Sequence, residues 1–323
     1  MSEVRVAITG GAGFLGDALA RKILTAGTIE IDGVSRPVGE LVLLDVYPAR
    51  ADLLADARVS MLEGDLAERL GELGDVDAVF HLAGVVSGAA EANFDLGMSV
   101  NLDSLRSVLE HLRRIGSAPL LVFTSSLAVF GQDPWGPALG TVTDDTMPRP
   151  QSSYGVQKFI GEQLVADYTR KGFVNGRTVR LMTVSVRPGA PNAAASSFLS
   201  GIIREPLAGE RSTCPVPADT PVALSSPSRT IEGILRAASV PAEEWGSRTA
   251  MNLPSLTTTP REMIEALERA KPGASALIDW ELDDAVVGIV ATWPSVFEAS
   301  RARALGLVAP GTFDEIVAEY RAA

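Results

Sequence analysis

Through the first 190 residues, short apolar runs alternate with longer stretches in which apolar side chains recur every three or four positions. The first run, Val4-Arg5-Val6-Ala7-Ile8, breaks into closely spaced glycines, and a helical pattern follows over residues 17–26. Further runs occupy Leu41-Val42-Leu43-Leu44, residues 59–66, Ala78-Val79-Phe80-His81-Leu82-Ala83-Gly84 and Leu120-Leu121-Val122-Phe123-Thr124-Ser125-Ser126. Strands of this length separated by helices predict β-α-β units and a parallel sheet. Leu96, Val100, Leu105, Val108, Leu109 and Leu112 predict one long helix over residues 93–116, and a second is expected from Tyr154 to about residue 171. Residues 27–40 read as a polar insert containing Gly and Pro, and residues 132–153 as a Pro/Gly-rich loop.

Beyond residue 200 the pattern is mixed. A helix is expected near residues 197–207, a strand over 222–224, a helix over 230–238, another after Thr259-Pro260, and a last one over 313–320. Proline at the first helical position, preceded by a capping threonine, is a sound helix start. No repeat, low-complexity run or long linker separates this part from the first, so it is expected to form a smaller lobe packed on the first domain. Residues 1–190 are assigned to a dinucleotide-binding domain and residues 191–323 mainly to a substrate-binding lobe, whose strands can return to the first domain.

Composition narrows the picture in a few places. With 323 residues, 46% hydrophobic and 21% charged, the chain has the make-up of a globular protein of one large domain or two lobes. A net charge of −12 disfavours nucleic acid and anionic membrane as partners. Cys214 is the single cysteine, so no intrachain disulfide can form, and with two histidines there is no Cys/His metal cluster to propose. The first strand begins almost at once, without a basic segment and apolar stretch before it, and runs such as residues 41–44 are too short to cross a bilayer. A cytoplasmic location without membrane contact is expected.

The glycines carry the first chemistry. Gly11, Gly13 and Gly16 fit G-x-G-x-x-G, and Gly10, Gly13 and Gly16 the wider G-x-x-G-x-x-G spacing. Between a strand and a helix, such a turn lets the backbone approach a pyrophosphate and presents it with the open amides of a helix N-terminus. Asp45, ending the next strand, is the candidate for the adenosine ribose hydroxyls and so for NAD over NADP. It lies further from the glycines than the usual ~20 residues, and Arg50 nearby leaves NADP open. Asp65 is read either as a partner of the adenine amino group or as a helix cap. His81, inside an apolar run, reads as a core histidine, whereas Ala83 and Gly84 are small enough for backbone to approach a cofactor. Asn101 is either a solvated amide or one that bonds buried backbone or a lysine. Thr124, Ser125 and Ser126 end a strand on the side where ligands lie in open α/β sheets. Tyr154 and Lys158, four residues apart, share one helical face.

Taken together, the glycine turn, Asp65-Leu66, His81-Leu82-Ala83-Gly84, the run from Thr124 through Val129 to Gly131, Tyr154 with Lys158, and Arg187-Pro188-Gly189 resemble the ordered motifs of the extended short-chain dehydrogenases/reductases. The resemblance covers roughly residues 4–190. It implies an α/β fold, a Rossmann-type doubly wound parallel sheet with a smaller C-terminal substrate lobe, and NAD as cofactor. It places the catalytic serine on Ser126 rather than Ser125, the tyrosine on Tyr154, the lysine on Lys158 and the helix asparagine on Asn101. The cofactor set implied is Gly10, Gly13, Phe14, Leu15, Gly16, Asp45, Asp65, Leu66, Leu82, Ala83, Gly84, Asn101, Tyr154, Lys158 and Pro188. A homodimer contact through the helices near 93–116 and 154–172 is also implied.

Many members of that family act on nucleotide sugars, and their Asn-Val-x-Gly-Pro signature is absent after Arg187. The stretch from Pro188 to Gly209, with Val86-Ser87-Gly88 and Asn93-Phe94-Asp95-Leu96-Gly97, instead resembles a branch that oxidises the 2-hydroxyl of a four-carbon, D-erythronate-like sugar acid to the 2-oxo acid. A sugar acid needs a carboxylate partner, for which a guanidinium has the best geometry. Arg229 is the first candidate, with Arg187 and Arg204 as rivals, and Ser87, Ser126, Tyr154, Asn192 and Ser196 are candidates for the substrate hydroxyls. The alternatives are a nucleotide-sugar epimerase or dehydratase using transient hydride transfer, and a dinucleotide sensor without turnover. The intact Ser126, Tyr154 and Lys158 set speaks against the sensor.

Overall fold

The computed structural model describes residues 2–189 and 194–322. Val4–Thr9 (β1) lies at the centre of the main sheet, almost wholly buried, as expected of a parallel strand covered by helices on both faces. Around it stand Thr28–Ile31 (β2), Val34–Asp45 (β3), Val59–Glu63 (β4), Ala78–His81 (β5) and Leu120–Ser126 (β6). Strands Asn175–Leu181 and Met251–Asn252 extend the far edge. β1 pairs in parallel with β3 and β5, β3 with β4, β5 with β6, β6 with Asn175–Leu181, and the last with Met251–Asn252. The chain thus builds outward from β1 through β3 to β4, then crosses back to β5 and β6 on the other side. Such a reversal opens a crevice at the carboxyl ends of the two central strands, where the glycine turn sits.

Residues 27–40 depart from the expected polar insert. Thr28–Ile31 and the first residues of β3 form an antiparallel hairpin, turned at Asp32 and Gly33 with φ of 50° and 79°. An Asp-Gly pair in the left-handed region is the preferred two-residue hairpin turn, and Ile29 and Ile31 alternate into the core. The long helix over 93–116 also differs in detail. Phe94–Gly97 and Ser104–Ile115 are α-helical, and the turn between them, Met98–Asp103, is widened to a π-helix. Widened turns of this kind occur most often at functional sites, and this one contains Asn101.

Helices Phe198–Ala208, Pro260–Ala270 and Phe313–Ala322 enclose a second core, with Leu199, Ile202, Ile203, Met263, Leu267 and Ile316 at its centre. Thr259 accepts from the Glu262 amide while the Glu262 side chain accepts from the Thr259 amide, a complete capping box. The chain does not stay in this lobe. Helix Pro227–Ser239 packs Ile231, Ile234 and Ala237 into the core of the main sheet, and Met251–Asn252 pairs at the sheet edge. Arg177 secures that return: its buried guanidinium donates to the Ala237 and Val240 carbonyls at 3.0 and 2.5 Å and to Asp32 at 2.8 Å.

One further tie runs beneath the carboxyl ends of the strands. Glu162, on helix Ser153–Arg170, receives two bonds from Arg180 at 2.9 and 2.7 Å and one from Ser125 Oγ at 2.5 Å. All three side chains are buried. Replacing Glu162 by Gln leaves the Arg180 charge buried without its counter-ion, which costs about 3–5 kcal/mol in comparable pairs. Urea unfolding of Glu162→Gln is expected to show a loss of that size, and an unchanged midpoint would contradict it.

Candidate active site

The glycine turn closes on its own backbone. A Cβ at Gly16 would collide with the Gly10 carbonyl oxygen, and one at Gly10 would come within 2.8 Å of the Ala83 amide nitrogen. Helix Phe14–Ala26 therefore starts directly from the turn, with Gly13 as its N-cap and no side chain capping the first amides. Asp45 reaches the same place: its carboxylate accepts from the Ala12 amide at 3.0 Å and from the Tyr47 amide at 3.2 Å. Arg50 is largely exposed and pairs with Asp52 at 3.4 Å. Asp65 caps helix Leu66–Leu73, accepting from the Ala67 amide at 2.9 Å, and is exposed. Of the two readings of Asp65, its hydrogen bonding matches the cap, and neither it nor Leu66 is among the residues lining the cleft.

A cleft of about 340 Å³ runs from this turn to the ends of β5 and β6. Gly10, Gly13, Phe14, Leu15 and Gly16 line one end, Leu82 and Gly84 the middle, and Ser126, Tyr154 and Lys158 the other. Pro188 is exposed and is not part of the lining. Helix Ser153–Arg170 is aimed at the cleft by close packing: Gly155 lies so near the Ala128 carbonyl oxygen that a Cβ there would overlap it. Ser152 caps the helix by accepting from the Gly155 amide at 3.2 Å. Tyr154 is thereby held against Ser126, and burial pushes its phenol above the ordinary value while a hydrogen bond with Ser126 draws it partly back. One turn on, Lys158 is buried, donates to the Thr124 carbonyl at 3.0 Å and lies 5.8 Å from the centre of the Tyr154 ring. Burial lowers its pKa to about 8.

Asn101 is 1% exposed, which settles the choice left open by the sequence in favour of bonds to buried backbone. Its Oδ1 accepts from the Val85 amide at 2.9 Å, and its Nδ2 donates to the Val85 carbonyl at 3.2 Å and to Gln157 Oε1 at 2.9 Å. The amide clamps the segment after β5 to helix Ser153–Arg170. His81 is fully buried, bonded through Nδ1 to Thr9 Oγ1 at 2.8 Å and stacked on Phe123. It is absent from the cleft lining.

On the substrate side, Ser87 and Ser196 line the cleft, and Asn192 lies outside the described residues. Arg229 is elsewhere. It sits on helix Pro227–Ser239, pairs with Glu232 at 2.8 Å and faces a separate groove against helix Phe14–Ala26, because its helix returns to the main sheet. Among the described residues, the arginine that lines the cleft is Arg187; Arg204 donates to the Arg187 carbonyl at 2.8 Å and pairs with Glu205. Burial and the neighbouring Arg204 charge lower the Arg187 pKa. Leu127, Met182, Thr183, Val184 and Trp293 also line the cleft and were not anticipated. Trp293 comes from a loop far along the chain, and nothing in its local pattern marks it.

Residues 6–221 match the profile of the NAD dependent epimerase/dehydratase family. The chain belongs to that family. It is 50% identical over 322 residues to D-erythronate dehydrogenase from Cupriavidus necator, and 40% identical over 323 residues to D-erythronate dehydrogenase from Haemophilus influenzae, each match covering 98% of both chains. Among solved structures it superposes on a nucleoside-diphosphate-sugar epimerase from Agrobacterium tumefaciens with a TM-score of 0.88 and 38% identity, covering 98% of this chain and 93% of the other. As a family member it uses NAD. The glycine cradle fits that cofactor, since Gly10 and Gly16 leave no room for a side chain and the helix that starts there has no side chain capping its first turn, whose residues Phe14, Leu15 and Gly16 line the cleft. Among the described residues no helix is long and apolar enough to cross a membrane.

Burial and the Lys158 charge hold the His81 pKa down at about 3, against an ordinary value near 6.5. The unfolded chain therefore binds a proton at this position between those two values and the folded chain does not. The stability from keeping His81 neutral is complete above about pH 6.5 and is lost as the pH falls toward 3. A His81→Phe variant is expected to lose less stability than the native chain between pH 7 and pH 4. Equal slopes in urea titrations across that range would show that His81 does not contribute.

Proposed function

We propose that this chain is an NAD-dependent dehydrogenase that oxidises the 2-hydroxyl of a D-erythronate-like four-carbon acid to the 2-oxo acid. The observation that carries the reaction is the placing of Tyr154 against Ser126, with Lys158 one turn below, in a cleft that starts at the glycine cradle. The 50% identity to a D-erythronate dehydrogenase over nearly the whole of both chains supports the choice of acid. Residues 1–190 hold the cofactor in this reading and residues 191–323 contribute mainly to the substrate side.

When bound, NAD supplies the hydride acceptor. The chain's own part is to position the alcohol and remove its proton. Ser126 Oγ holds the substrate oxygen, and Tyr154 Oη takes the hydroxyl proton as general base. A phenol with an unperturbed pKa of ~10 is a poor base near neutrality, and burial alone makes it poorer. The Lys158 ammonium beside the ring favours the phenolate. With a pKa of about 8, Lys158 is mainly charged at neutral pH and begins to lose that help as the pH rises through 8. Asp45 holds the adenosine ribose, and Asn101 fixes the segment that carries Leu82, Ala83 and Gly84 along the cofactor. Ser87, Ser196 and Asn192 serve the substrate hydroxyls. For the carboxylate we assign Arg187 in place of Arg229, because Arg187 lines the cleft and Arg229 does not.

A cytoplasmic location agrees with the single buried cysteine, Cys214. A homodimer through the helices near 93–116 and 154–172 would cover Val156 and Ile160, two exposed apolar side chains one turn apart.

The second reading, a nucleotide-sugar epimerase, is favoured by the 38% identity to the Agrobacterium protein of that name. The two differ in net redox change. With NAD and D-erythronate, a dehydrogenase accumulates NADH absorbance, and an epimerase acting on a nucleotide sugar shows none. Screening four- to six-carbon aldonates with NAD and NADP is expected to give NADH with D-erythronate, and silence across the whole series would reject the proposal. Tyr154→Phe is expected to lower kcat by roughly 10²–10⁴-fold, and retention of full activity would remove Tyr154 from the mechanism. Arg187→Leu is expected to raise KM for the acid about ten- to a hundredfold, the worth of a charged hydrogen bond. An unchanged KM would return the carboxylate to another partner.

A further inference from the structure

Trp293 stands between two cavities. It lines the active-site cleft together with Leu127 and Thr183, and the same three residues line a smaller cavity directly behind. The remaining wall of that second cavity is apolar and includes Leu199, Val222, Ala223 and Val290. The partition between reacting site and apolar pocket is therefore made by three side chains, of which the indole is by far the largest.

The indole is also held in place. The Trp293 amide donates to the Val290 carbonyl at 3.1 Å at the end of helix Asp284–Val290. On one side, the Thr292 carbonyl accepts from the Gln132 amide at 2.9 Å, which ties the loop to the segment after β6. On the other, buried Pro294 stiffens the chain, and the Ser295 carbonyl accepts from Thr257 Oγ1 at 2.6 Å. The Val296 carbonyl accepts from the Val142 amide at 2.9 Å. A side chain on a loop anchored at this many points acts as a fixed wall.

We infer that Trp293 is a specificity-determining residue that closes the substrate end of the cleft against chains longer than a short hydroxy acid. The inference rests on the dehydrogenase reading above. An acid with a longer tail meets the indole, while the room that loss of the indole would add to the small cavity of about 10 Å³ behind it suits an alkyl tail rather than a polyol, because a hydroxyl buried there would leave its water partners without replacement.

The test uses the full chain with NAD and three acids: D-erythronate, 2-hydroxyhexanoate and D-gluconate. In Trp293→Ala, the kcat/KM for 2-hydroxyhexanoate relative to D-erythronate is expected to rise by roughly tenfold or more, the scale set by a single methylene in an apolar pocket. D-Gluconate, with the same number of carbons but a hydroxylated tail, is expected to gain much less. Trp293→Phe, which keeps a ring in the partition, should retain most of the wild-type preference. Adding Ala223→Leu to Trp293→Ala refills the rear pocket and should reverse the gain. If the alanine variant does not fold, Trp293→Leu gives the same comparison with less lost packing. An unmoved ratio in a wild-type-active enzyme, or an equal gain for D-gluconate, overturns this inference and leaves the function standing. A wild-type chain silent across the whole series of aldonates overturns the function itself, and this inference with it.

Discussion

The buried pair between Glu162 and Arg180 is the constraint on which the site depends. It joins three elements that the chain makes far apart: the end of β6 through Ser125, helix Ser153–Arg170 through Glu162, and the next strand of the sheet through Arg180. Arg180 also donates to Asn252 at 3.3 Å and lies over the Phe130 ring, while Asn252 donates to the Thr143 carbonyl at 3.1 Å. Charges withdrawn from water in this way are costly unless each is met by good geometry. Here both carboxylate oxygens and three guanidinium nitrogens have partners. A network satisfied to this degree sets the distance between β6 and the helix, and so the distance between Ser126 and Tyr154.

Burial then acts on the two titrating groups of the site in opposite senses. It disfavours the charged form of each, raising the Tyr154 phenol and lowering the Lys158 ammonium. The two shifts pull apart groups whose ordinary values are similar, so a single environment moves the phenol away from its ionised form and the ammonium toward losing charge. What counters this is local: Ser126 at the phenol, and the Thr124 carbonyl with the faces of Phe123 and Tyr154 around the ammonium. His81, close enough to feel Lys158, stays neutral and adds no competing charge. The arrangement makes the positive charge of the cofactor, when present, a working part of the electrostatics.

The lobes are interleaved rather than consecutive, and this explains which residues line the cleft. Helix Pro227–Ser239 belongs in sequence to the second half and in space to the main sheet, locked there by Arg177. Arg229 goes with it, away from the cleft. Arg187 and Trp293, the latter from a loop tied to Gln132, Val142 and Thr257, supply the wall instead.

Much of this was legible from residue order alone, for a physical reason. The glycine turn, the individual strand and helix runs, and the Tyr154 and Lys158 face depend on contacts between near neighbours in the chain, and period and spacing report such contacts directly. Where two local readings competed, the hydrogen bonds bear on the choice: buried Asn101 clamps backbone, and exposed Asp65 caps a helix. The hairpin at Asp32-Gly33 was overlooked because its polar residues hid the alternation of Ile29 and Ile31. The amino-acid sequence by itself determined most of the strands and helices, the glycine turn and the shared helical face of Tyr154 and Lys158. That Arg187 lines the cleft while Arg229 does not, and that Trp293 stands in its wall, only the tertiary structure decided, since both follow from how distant segments cross, and no periodicity along the chain encodes a crossing.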